Sequence, residues 1–102
     1  MKLHELKIKD QYAYDIVRGA KTFELRKNDR DYQEGYLISF EVVDSCNNSI
    51  LPQAYVIEGR VYKITYVLKD VPEYGLDKDY CILGIERSCY DPRRIRKGLQ
   101  NN

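Results

Sequence analysis

Short stretches in which every second residue is apolar recur along this chain and constrain its fold more than any other feature. The clearest stretch, residues 36–43, sets apolar side chains against polar ones: Ile38, Phe40 and Val42 against Ser39 and Glu41. Successive side chains of a strand point to opposite faces, so the pattern predicts a strand with one buried face. Similar patterns predict further strands over residues 3–9, 21–27, 56–68 and 80–86.

One helix is predicted between the first two strands. Its apolar residues Ala13, Ile16 and Val17 fall at helical spacing. Asp10 is expected to cap its N-terminus, and Gly19 to end it in the left-handed conformation. Gly59 is expected to form a bulge that helps the sheet to curl. These elements predict a small α+β domain of about five strands, most simply a β-barrel with a helix at one mouth.

Composition limits the partners and the compartment. With 102 residues the chain is expected to form one domain over residues 1–90, followed by a basic, partly disordered tail over residues 91–102 that holds Arg93, Arg94, Arg96 and Lys97. The net charge is only +1, so any attraction for nucleic acid has to be local. Hydrophobic residues form no run long enough for a membrane helix, so we expect no membrane partner.

The cysteine pattern argues against a metal site. Cys46, Cys81 and Cys89 show no paired ligand spacing, and the chain has a single histidine. We therefore expect reduced thiols, a cytoplasmic protein and neither metal nor cofactor. Cys81 lies in an apolar stretch and is expected in the core. The sequence leaves the oligomeric state open.

The second predicted strand carries the candidate site. Alternation places Phe23 and Leu25 on one face and Glu24 and Arg26 on the other, so the apolar face is expected to anchor the strand and the charged face to present its groups. With Lys21 and the following Arg30, these charges can form a pocket for a phosphate or a polarised carbonyl. The alternative is an exposed strand with a surface salt bridge.

The spacing Gly19-x-Lys21-x-x-Glu24-x-Arg26 resembles the GxKxxExR signature of the ASCH family, small PUA-like β-barrel domains regarded as binders of RNA or modified nucleosides. The flanks extend the resemblance: an opening strand, a helix leading to Gly19, the loop residues 27–32 and Gly35. This fuller pattern, over about residues 4–86, is similar to the DUF3850 branch of that group. It implies a PUA-like barrel whose helix and motif strand border a cleft.

Binding of single-stranded RNA or a nucleotide is the first functional hypothesis. Lys21, Arg26 and Arg30 can contact phosphates, a tyrosine can stack on a base, and the Glu24 carboxylate can accept hydrogen bonds from an exocyclic amine. Asn28 and Asp29 either contact a base edge or simply form a turn. His4 shares the apolar face of the first strand, which favours a core position, but the strand can also bring it to the pocket as a binding residue.

Catalysis and protein interaction are the alternatives. Some small ASCH proteins are linked to amide hydrolysis on acylated nucleosides through a Lys, a Thr three residues later and a distant Glu. Lys21 matches, but Glu24 occupies the Thr position. A water mechanism with Glu24 as general base and Lys21 stabilising an oxyanion is chemically sensible, with Glu86 as a weaker candidate for the distant acid. A protein-interaction module would use an exposed edge strand.

Overall fold

The elements follow one another in an alternating order along the chain. The computed structural model describes residues 2–43 and 52–89. Over these residues the order is β1 (Leu3–Lys9), α1 (Asp10–Val17), β2 (Phe23–Lys27), β3 (Leu37–Val43), a 3-10 helix (Pro52–Gly59), β4 (Val61–Leu68), a short 3-10 turn (Pro72–Tyr74) and β5 (Tyr80–Ser88). Residues 1, 44–51 and 90–102 lie outside the described residues; they include Cys46 and the predicted basic tail at 91–102 with its cations.

The five strands form one mixed sheet in the spatial order β1-β3-β4-β5-β2. β1 and β3 are parallel, whereas the other three pairs are antiparallel. The sheet curls into a half-barrel with β1 and β2 as its two edges. The prediction of a small α+β domain with about five strands is therefore confirmed, but the edges are not joined to each other by a backbone ladder.

The core lies on the inner face of the half-barrel. Every second residue of the strands points inward, including Leu6, Ile38, Phe40, Ile64 and Leu83. Ala13 and Ile16 of α1 and Ala54 and Ile57 of the 3-10 helix pack onto the same cluster, and α1 contacts the 3-10 helix. Cys81 is buried in this cluster as predicted, and burial raises the pKa of its thiol.

The start of α1 differs from the prediction, whereas its end agrees. Lys9 occupies the N-cap position without a side-chain cap, and Asp10 lies inside the first turn and is buried. The expected capping role of Asp10 is therefore wrong by one position. Gly19 follows the helix with a φ of +83°, the left-handed conformation that glycine adopts without steric cost, which confirms its predicted terminating role.

The predicted strand over residues 56–68 begins later than expected. Residues up to Gly59 belong to the 3-10 helix, and β4 starts only at Val61. Gly59 is therefore not the bulge that the sequence predicted. The irregularity lies between Ile64 and Tyr66, opposite β5. There Gly84 approaches β4 so closely that a Cβ atom at this position would lie 2.9 Å from Thr65 Oγ1.

Candidate functional site

A buried carboxylate is the centre of the candidate site. Glu24 is only 3 % exposed. Its Oε1 accepts a hydrogen bond from Lys21 Nζ at 2.5 Å, and its Oε2 accepts one from Arg26 Nη1 at 3.2 Å. The three charged groups predicted from the sequence motif thus converge, with one cation on each carboxylate oxygen.

The charged face of β2, not the apolar face, is the buried one. Phe23 is 45 % exposed and Leu25 56 % exposed, so the expectation that they anchor the strand is wrong. The register explains this: Glu24 lies opposite Leu83 and Arg26 opposite Cys81, which places both charged side chains on the inner face. Burial of the carboxylate is tolerated because two cations pair with it inside the fold.

Lys21 is fixed by the turn that follows α1. The backbone amides of Ala20 and Lys21 both donate to the carbonyl of Asp15, which holds this turn. Lys21 Nζ also donates to the Phe23 carbonyl at 2.8 Å and lies 5.5 Å from the Tyr12 ring centroid and 5.0 Å from that of Phe23. The ammonium therefore lies between two rings, an arrangement typical of cation–π contact. The sequence analysis missed Tyr12 as a candidate site residue, because its i, i+4 spacing to Ile16 placed it next to the apolar stripe of α1.

Two arginines bridge the edges of the half-barrel. Arg26 Nη1 donates to the Lys7 carbonyl at 2.9 Å, and Arg30 Nη1 donates to the Glu5 carbonyl at 3.3 Å. Both acceptors belong to β1, while Arg26 lies on β2 and Arg30 on the loop that follows it. We call this line of contact between the two edges the seam. At the seam, these side-chain hydrogen bonds replace part of the backbone pairing that would otherwise join two edge strands.

The rings of His4, Tyr32 and Tyr36 pack together at the loop after β2. Tyr32 is buried beside Arg26 and Arg30; burial raises the pKa of its phenol, and the two cations oppose that shift. His4 lies 4.9 Å from the Tyr32 ring centroid, and its Nε2 donates to the Asp31 carbonyl at 3.2 Å. Burial lowers the pKa of His4, so the ring is neutral at pH 7. The structure places His4 in the core rather than among the residues that line the seam.

A groove of about 550 Å³ follows the seam, with a size typical of small-ligand sites. We call it the seam groove; it is lined by Lys7, Ile8, Lys9, Tyr12, Lys21, Phe23, Glu24, Leu25, Arg26 and Val43. Lys21, Glu24 and Arg26 are thus brought together, while Arg30 lies further along the seam. Asn28 and Asp29 are not part of this lining. The Asn28 amide donates to the Asp79 carbonyl, before β5, and the Asp29 amide donates to the Lys27 carbonyl and forms a tight local turn.

Neither a metal-binding cluster nor a pairing of the two candidate acids, Glu24 and Glu86, forms in the described part of the chain. In residues 2–43 and 52–89, no group of three His, Cys, Asp or Glu side chains is placed to hold a metal ion. Glu86 is exposed, and its position on β5 alternates with the buried Ile85. It therefore lies on the outer face, across the sheet from Glu24.

Within the same described part of the chain, no helix has the length and apolar character needed to cross a membrane.

The fold and the site define a class of protein: a small α+β half-barrel in which two partly exposed cations pair with a buried carboxylate at the seam between its edges. The chain belongs to the DUF3850 family, a domain of unknown function, whose family model matches residues 3–85. A comparison with curated proteins gave no match.

Proposed function

We propose that this protein binds a nucleobase, presented by a nucleotide or by single-stranded RNA, in the seam groove. The observation that carries the proposal is the buried Glu24 carboxylate in a groove flanked by the Tyr12 and Phe23 rings. Aromatic rings accept bases by stacking, and a carboxylate accepts hydrogen bonds from exocyclic amines. The similarity of the motif to the ASCH signature and its PUA-like barrels supports the same choice.

The charge of the groove suits a ligand that carries phosphate. Lys7, Lys9, Lys21 and Arg26 line it together with a single carboxylate, so an anion meets an excess of positive charge. Lys7 and Lys9 are exposed at the rim, whereas Lys21 and Arg26 are held by Glu24. The base is therefore expected at Glu24 and Lys21, and the phosphate towards the rim.

The hydrolytic alternative is less well supported. Glu86, the candidate for the distant acid, lies on the opposite face of the sheet. An interaction module finds some support in the exposed Phe23 and Leu25, but the same two side chains line the seam groove.

Isothermal titration calorimetry with AMP, CMP, GMP, UMP and short single-stranded RNAs tests the proposal. Lys21→Met and Arg26→Met should each weaken binding about tenfold or more, because a hydrogen bond to a charged group is worth about 1.5–3 kcal/mol. Affinity for the RNAs should also fall as salt rises, since phosphate contacts release counterions.

The matched control is Lys63→Met, which removes an exposed cation from β4, away from the groove. It should leave affinity unchanged, and thermal melts should show that all three variants remain folded. If the wild-type protein binds none of these ligands, or if the seam variants bind as tightly as the control, the proposal is wrong.

A further inference from the structure

A second groove adjoins the seam groove and has a different chemical character. It measures about 670 Å³ and we call it the polar groove; it is lined by Glu5, Leu6, Lys7, Arg26, Arg30, Ser39, Phe40, Glu41 and Glu58. In contrast to the seam groove, it has no tyrosine in its lining and holds three carboxylates and a hydroxyl. This chemistry suits a ligand with hydroxyl groups better than a flat apolar ring.

Ser39 provides an independent sign of a ligand in the polar groove. The residue is 3 % exposed and lies beside Glu5 in the β1–β3 pair. Its Oγ is buried and has no hydrogen-bond partner in the described part of the chain. A buried hydroxyl without a partner costs free energy, and a ligand that hydrogen bonds to it recovers that cost.

The two grooves adjoin at Lys7 and Arg26, which belong to both linings. A ligand that leaves the seam groove along the seam therefore passes these two cations before it reaches Ser39. Arg30, which spans the seam from the loop after β2, supplies a third cation on the polar side. Along a polynucleotide the order is base, its own sugar, linking phosphate, next sugar, so cations placed between a stacking groove and a hydroxyl-binding groove match the position of the linking phosphate.

We propose that the ligand is RNA of at least two nucleotides: the base of one lies in the seam groove, the linking phosphate lies at Lys7 and Arg26, and the ribose of the next lies in the polar groove. This inference rests on the proposed function. The sugar, not a phosphate, occupies the space among Glu41, Glu58 and Ser39, because carboxylates repel a phosphate but accept hydrogen bonds from hydroxyls. The 2′-hydroxyl bonds to Ser39 Oγ, so the site distinguishes RNA from DNA.

Calorimetric titrations with ribodinucleotides, the matching deoxyribodinucleotides and the ribonucleoside monophosphates test this arrangement. The best ribodinucleotide should bind about tenfold or more tighter than the corresponding monophosphate, and about two- to tenfold tighter than its deoxy analogue, the range of one hydrogen bond. Ser39→Ala should abolish the preference for ribose. It should not lower the melting temperature, because no bond within the described residues is lost.

Thr65→Val is the matched control, because it removes the hydroxyl of an exposed β4 residue that lines neither groove. It should leave the ribose preference intact. Equal affinity for ribodinucleotides and monophosphates, or an unchanged ribose preference in Ser39→Ala, overturns the two-nucleotide arrangement while the proposed function stands. If neither monophosphates nor dinucleotides bind, both proposals fall together.

Discussion

His4 is a titratable side chain that the fold holds in its neutral form. It is buried against Tyr32 and Tyr36, and its ring donates to the Asp31 carbonyl, which ties β1 to the loop after β2. Burial is the main cause that lowers the pKa of His4, and Lys2 and Arg30 act in the same direction. Protonation of this ring therefore favours the unfolded chain.

The protein is expected to lose stability as the solution becomes acidic. Between the unfolded pKa of His4, 6.5, and its lower folded value, the unfolded chain binds more protons, so the free energy of unfolding falls as pH falls through this window. His4→Phe keeps the ring packing but removes the titration. Denaturant unfolding between about pH 7.5 and about pH 5.5 should show a flatter profile for the variant. An equally steep profile would show that other groups cause the pH dependence.

For Glu24, the sequence predicted the neighbouring charges correctly but not that the side chain is buried. Strand alternation correctly separated Phe23 and Leu25 from Glu24 and Arg26, and the motif correctly grouped Lys21 with the two charges. The choice of the buried face failed because it assumed that apolar side chains point inward. A charged face can be buried once its own members neutralise one another, and that depends on contacts which the spacing alone does not give.

At the level of elements, the close contact of Gly84 with β4 shapes the sheet. β4 and β5 pair out of register between Ile64 and Tyr66, and Gly84 lies opposite Tyr66 at this point. The space left by the missing side chain is occupied by Thr65 Oγ1. Bulges bend a strand and increase its twist, so this contact belongs to the curl of the half-barrel.

Gly84→Ala is expected to destabilise the protein by about 1–3 kcal/mol, the usual cost of inserting a methyl group into a filled space. Thr65→Ala removes the Oγ1 atom that the new Cβ would meet at 2.9 Å, so the double variant should recover much of the loss. A double-mutant cycle by urea unfolding measures the coupling. Additive effects of the two substitutions would show that the contact does not limit this position.

Strands were predicted well where apolar and polar residues alternate clearly. They were predicted poorly where a segment contains apolar residues without that alternation. Residues 36–43 and 80–86 are strands as expected, within one or two residues of the predicted ends. Residues 56–59 are rich in apolar side chains, yet they form the end of a 3-10 helix that packs on α1. Their conformation is set by Ala54 and Ile57 entering the core, a tertiary contact that local propensity does not contain.

For the whole molecule, the order of the strands decides where the candidate site lies. The sequence predicted a barrel but not which strands would be its edges, because pairing between distant strands leaves no local signal. β1 and β2 turn out to be the edges, and the candidate charges of β2 therefore lie at an opening. The candidate site lies at this opening, where Arg26 and Arg30 bridge the two edges of the half-barrel through side-chain hydrogen bonds.

If side chains close the seam, their removal should loosen the two edges without affecting the centre of the sheet. Arg26→Met with Arg30→Met keeps the aliphatic stems but removes the donors to the Lys7 and Glu5 carbonyls. It also removes one of the two cations that pair with Glu24, which lies on β2 itself. Hydrogen exchange followed by NMR should then be faster for the amides of β1 and β2, whereas the long β4–β5 pairing keeps its protection.

Arg18→Met with Arg87→Met removes two exposed cations outside the seam, in the turn after α1 and on β5, and controls for the change in net charge. Its exchange pattern should match that of the wild type. Uniformly faster exchange in the seam variant would mean that the arginines support global stability, and unchanged exchange would mean that the edges are held by the core alone. Faster exchange confined to β1 and β2 is the result that side-chain closure requires, since only these strands lose a partner across the seam.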